Sequence, residues 1–129
     1  MENLLDVAAL NYRAAKKYDA TEAWDYNVVA SLLQQAVEAC LRYCYQKSED
    51  VKYFEEYTFY DIWVDEPGLD IKVPEGFEEF SHSCNAWYGA CMKPGYRAKL
   101  EELEQGFMIV EKFLLMNGAD VDIIKGGMK

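Results

Sequence analysis

The sequence predicts an all-α protein, an antiparallel bundle of four to five helices in up-and-down order. Three observations carry that expectation. Apolar residues recur at three- and four-residue spacing in two long N-terminal stretches, and again near the C-terminus. Pro67-Gly68, Pro74 and Pro94-Gly95 fall between the periodic stretches. Finally, 51% of the 129 residues are hydrophobic, enough for one core without disulfides or a structural metal.

The elements follow in order. From Glu2 to about Tyr18, Leu4, Leu5, Ala8, Ala9, Tyr12 and Ala15 mark one helical face. Arg13, Lys16 and Lys17 crowd its last turns, where cations suit the negative end of the helix dipole. Asp19-Ala20-Thr21-Glu22 then reads as a capping signature, with Glu22 reaching back to Asp19. A second helix is expected from about Glu22 to Lys47. Its stripe of Val28, Val29, Leu32, Leu33, Ala36, Val37, Cys40, Leu41 and Cys44 is wide enough to be touched from two sides.

Val51 to Trp63 is rich in Tyr, Phe and acid, a pattern shared by helix and strand; its helical neighbours favour helix. Pro74 marks the start of another helix, from about Glu75 to Tyr88. In the last helix Tyr96, Leu100, Leu103, Phe107, Val110 and Leu114 step in a heptad-like face, and Gly118 stands as a stop. The expected organisation is a single domain over 1–118 and a frayed tail over 119–129.

Charge is unevenly placed. Thirteen Lys and Arg against 23 Asp and Glu give a net charge of −10, which argues against general phosphate-backbone binding. Residues 49–79 hold eleven acids and only Lys52 and Lys72, so nearly all of the excess belongs to that segment. It reads as a solvated connector, or more sharply as a docking strip for a basic partner. No apolar run approaches the roughly 18 residues of a membrane span. The N-terminus, with Glu2 and Asp6, lacks a basic signal-peptide start, so the expected location is the cytoplasm.

Catalytic chemistry is limited by scarcity. His82 is the sole histidine. Glu79 and His82 form a Glu-x-x-His pair, but a di-iron bundle needs that motif twice. Cys40, Cys44, His82 and Cys84 are conceivable zinc ligands, yet two cysteines on one long helix read better as small apolar core residues. Disulfides are not expected without a secretion signal. Phosphate-cradling glycine loops and the nucleophile elbow are missing. Aromatic residues make up 15% of the chain. Most of these rings belong to a core, while Tyr60, Trp63, Trp87 and Tyr88 are candidates for a base-stacking pocket.

The second helix carries a resemblance. Leu33-Gln34-Gln35-Ala36-Val37-Glu38-Ala39-Cys40-Leu41-Arg42 resembles the signature helix of the HEPN family of small helical bundles, with its Gln-Ala-x-Glu-x-x-x-Lys core. Gln35 and Glu38 match that core, and Arg42 takes the Lys position one turn on from Glu38, where the two can pair. Leu10-Asn11-Tyr12-Arg13-Ala14-Ala15-Lys16 is similar to the end of the family's first helix. Pro94-Gly95 stands where a loop introduces its last. The likeness runs over residues 3–117, with its specific part in 33–42.

Two departures bear on mechanism. The family's ribonucleases share an Arg-x(4–6)-His motif, but the positions that would pair with His82 are Glu75, Gly76 and Phe77. Other members carry His-Asp-Leu-like and Arg-Tyr-Pro-like stretches; here the counterparts are Tyr60-Asp61-Ile62 and Trp87-Tyr88-Gly89, each with a ring replacing a cationic residue. The resemblance therefore implies a non-catalytic module without cofactor or metal, a homodimer that binds a nucleotide or a separately encoded minimal nucleotidyltransferase, as in toxin–antitoxin-like systems. Tyr60, Asp61, Trp87, Tyr88, Lys93 and Arg97 are its candidate ligand residues, with Lys99 adding to a positive edge. The alternatives are an unrelated structural or adaptor bundle, and a nuclease using Asp61, His82 and Arg97.

Overall fold

The computed structural model describes residues 3–18, 23–47, 71–87 and 95–125. Among these there is no strand; five helices pack together around one core. The Asp19–Glu22 cap, the expected helix over 51–63, most of the acidic segment and residues 126–129 lie outside the described residues.

Helix α1 spans Leu4–Lys17. The Asn3 side chain accepts the Leu5 N–H at 2.9 Å, satisfying one of the free donors of the first turn. Leu5, Ala8, Ala9, Tyr12 and Ala15 are buried, and so many alanines let the neighbouring helix lie close. That neighbour is α2, Ala23–Lys47, which makes with α1 the most extensive helix contact. α2 also touches the two helices that follow, so its wide apolar stripe is covered from several sides.

Helix α3 spans Phe77–Trp87. Pro74 and Gly76 launch it: Gly76 takes a φ of +85°, a region open to glycine. The Phe77 and Phe80 amides bond back to the Pro74 and Gly76 carbonyls. Helix α4 spans Leu100–Met116. Its end is a Schellman motif, with the Ala119 N–H on the Leu114 carbonyl, the Gly118 N–H on the Leu115 carbonyl, and Gly118 at a φ of +101°.

The heptad-like face expected for α4 is rotated in the structure. Leu103, Gly106, Ile109, Val110, Phe113 and Leu114 are buried, while Leu100 is 48% exposed and Phe107 only half-buried. The cause is Gly106, whose missing side chain admits Trp87, Phe80 and Leu33 to the helix surface. Phe113 stacks on Phe77 with centroids 4.5 Å apart, and Phe80 meets Trp87 edge-on at 5.6 Å.

Within the stretch expected to be a tail, the described residues after Gly118 continue into a fifth helix, α5, Val121–Ile124. The Asp120 carboxylate caps it through the Asp122 and Ile123 amides. Ala119 and Ile124 bury their side chains, and α5 rests on α1. Two capping bonds and two buried apolar residues hold the segment where composition alone suggests fraying.

Two asparagines, Asn27 buried and Asn117 half-buried, tie irregular segments to the bundle. Asn27 of α2 donates to the Tyr96 carbonyl and accepts the Ala98 N–H, both at 2.8 Å. Asn117 does the same for Lys72, donating to its carbonyl at 2.8 Å and accepting its N–H at 3.1 Å. Both side chains replace the backbone ladder that a strand would provide.

Candidate functional site

The last turns of α1 place Arg13, Lys16 and Lys17 at spacings of three and four, on one side of the helix. Lys125, the C-cap of α5, comes in beside them, and α4 contributes Glu111. These residues and Ile124 line a cleft of about 380 Å³. Among the described residues four cations thus meet one carboxylate, on a chain whose net charge is −10.

Glu111 is fully engaged. One oxygen accepts the Tyr12 hydroxyl at 2.7 Å, and the other accepts the Lys125 ammonium at 2.7 Å. The bond from Lys125, then the one from Tyr12, holds the Glu111 carboxyl below the usual range against a smaller desolvation effect. Burial, reinforced by the Glu111 contact, pushes the Tyr12 phenol well above its ordinary value. Neither group titrates near neutrality, so the pair is a fixed post that sets Lys125 over the cleft.

The other cations are less satisfied. Arg13 Nε is buried with no hydrogen-bond partner among the described residues. Lys16 lies 5.7 Å from the Tyr12 ring centroid and 6.0 Å from that of Phe107, a cation–π contact that steadies it without cancelling its charge. The negative end of α1 offsets only about half a charge, so the cleft stays electropositive. Its chemistry is that of an anion site: point charges from three lysines, and a planar fork from Arg13 that suits phosphate or carboxylate.

The signature residues of α2 form a separate ladder. Arg42 donates to Glu38 Oε2 from Nε at 3.2 Å and from Nη2 at 2.7 Å, and Gln34 donates to Glu38 Oε1 at 2.9 Å. Gln34 is buried, whereas Gln35 is exposed. The partner of Glu38 is therefore the residue before the one the motif match singles out. The four-residue step of the helix brings 34, 38 and 42 into line, and 35 is turned away.

Trp87 stands in the core, fully buried. Among the described residues its indole N–H makes no well-formed hydrogen bond. The Tyr96 phenol is pushed up, by burial first and then by the Glu102 charge, with Trp87 acting in the opposite direction. Arg97 is exposed and donates to the Tyr96 carbonyl at 2.7 Å; Lys99 is the exposed N-cap of α4. Tyr60, Trp63, Asp61, Tyr88 and Lys93 lie outside the described residues. Glu79 and His82 are exposed on α3, and Cys40, Cys44 and Cys84 are buried thiols, that of Cys84 pushed well up by burial. No group of three or more metal-ligating side chains gathers among the described residues, and no described helix is long and apolar enough to cross a membrane.

Reading the sequence alone overlooks this cleft. Arg13, Lys16 and Lys17 are visible as a basic helix end, but their fourth partner, Lys125, belongs to the stretch read as a loose tail. No protein-family model, no curated protein and no solved structure matches the chain.

Proposed function

We propose that the protein is a non-catalytic helical-bundle binding module, HEPN-like in its antiparallel up-and-down order, that holds a nucleotide by its phosphates in the cleft between α1, α4 and α5. The observation that carries this reading is the convergence of Arg13, Lys16, Lys17 and Lys125 on one cleft of an otherwise acidic chain. Opposite charges elsewhere are available to pair such cations, yet Arg13 Nε is left without a partner among the described residues. Binding rests on charge and hydrogen bonding, with no proton or bond transferred.

The test is calorimetric titration with ATP and with pyrophosphate at low and high salt. Both ligands bind one site per chain, more weakly as salt rises, and the double variant Arg13→Gln, Lys17→Gln abolishes the heat. An unchanged isotherm for that variant rejects the cleft as the site. The likeness of the α2 signature also supports a homodimer and a separately encoded minimal nucleotidyltransferase as the protein partner. A light-scattering mass of one chain at micromolar concentration argues against the dimer.

A further inference from the structure

Beside the cationic cleft lies a second hollow of about 130 Å³, lined by Ala15, Lys16, Tyr18, Tyr26, Val29, Leu100, Leu103, Glu104 and Phe107. Lys16 belongs to both. Its ammonium sits against the Phe107 ring, so one residue forms the wall between a charged chamber and an apolar one. We propose that the two chambers are one site for an anion carrying a flat aromatic ring, an aryl phosphate in the simplest case. The charged end lies on Arg13, Lys17 and Lys125, and the ring lies against Tyr18, Tyr26 and Phe107.

Size and lining select the ring. The hollow has room for about four water molecules, which suits one six-membered ring and is too short for a long acyl chain. Three aromatic side chains among the described residues line it, and rings recognise rings by offset or edge contact. Tyr18 is held by its hydroxyl, which donates to Asp25 at 3.2 Å. Leu100, left exposed by the rotation of α4, gains cover when the hollow is filled. Glu104 at the rim disfavours a second negative group there, which orients the ligand with its charge toward the cleft.

This inference rests on the anion-binding reading, and the experiment separates the two. Inorganic phosphate, n-butyl phosphate and phenyl phosphate are titrated into the ¹⁵N-labelled full chain by NMR. Phenyl phosphate binds about five- to tenfold tighter than inorganic phosphate, as one stacked ring warrants, and tighter than butyl phosphate. Its shifts extend from residues 13–17 to residues 100–107. Tyr18→Ala and Leu100→Ala, both at exposed positions, remove that advantage and leave inorganic phosphate binding unchanged. Equal affinity for phenyl and inorganic phosphate, or an advantage that survives both variants, overturns the aromatic chamber while the anion site stands. Absence of binding by all three overturns both.

Discussion

Gly106 of α4 and Trp87 at the end of α3 are in such close contact that a Cβ on Gly106 would lie 3.0 Å from the indole Cη2. The same Cβ would stand 3.2 Å from Phe80 and 3.4 Å from Leu33. Alanine is the better helix former by about 1 kcal/mol, so propensity alone predicts that Gly106→Ala stabilises. Crowding decides otherwise, because the groups it meets on three sides belong to a packed core and overpacking costs about 1–3 kcal/mol. The expected result in urea unfolding is a net loss of about 1 kcal/mol. A gain in stability rejects the close packing.

Asn27 carries the attachment of residues 96–98 to α2. Asn27→Ala leaves the buried Ala98 N–H without its acceptor and takes one of two donors from the Tyr96 carbonyl, which keeps Arg97, for a loss of about 1–3 kcal/mol. Hydrogen exchange gives the sharper readout, since the Ala98 amide loses its protection first. Retained protection at Ala98 indicates that another acceptor holds the segment.

How far these features are legible in the sequence differs by element. Pro74, Gly118 and the apolar spacing place α1 to α4 within a few residues, because local breakers and periodicity are properties of the chain itself. The phase of α4 is not local. A glycine scores as a weak point in a helix until Trp87 and Phe80, distant in sequence, come to rest on it. Gln34 and Gln35 are equally polar to any pattern match, and only the helical step to Glu38 separates them. The cleft is least legible, since it needs Lys125 from a stretch whose order depends on Asp120 capping and Ile124 burial.

Glu111 makes acid stability dependent on pH. Its folded pKa lies below its ordinary 4.5, so folding favours the ionised form. The contribution is full above the unfolded value and is lost as pH falls through the folded one. Lys125 is more than half exposed, so solvent screening leaves the ion pair only a small share of stability, and the Tyr12 bond adds to it. Glu111→Gln is expected to lose about 1 kcal/mol at neutral pH and to flatten the decline in stability below pH 4.5. Acid unfolding curves that overlay those of the unaltered protein contradict the assignment. Tyr12 behaves oppositely, because its raised pKa favours the protonated form and its contribution disappears in strong alkali.

Arg13 distinguishes a binding cleft from a merely well-charged helix end. Lys16 and Lys17 occupy the last turn of α1, where the helix dipole rewards a cation. Arg13 lies a turn earlier and gains little there. It brings a buried Nε without a partner among the described residues and repulsion from the neighbouring lysines. Were its role structural, Arg13→Met would destabilise, losing the charge along with any pairing. In a site kept for binding, methionine preserves the packing of the side-chain stem and removes the unsatisfied group. Thermal unfolding is then expected to show equal or higher stability, by up to about 1 kcal/mol, while pyrophosphate binding falls at least tenfold. A destabilised variant that still binds pyrophosphate normally reverses the assignment and makes Arg13 part of the scaffold.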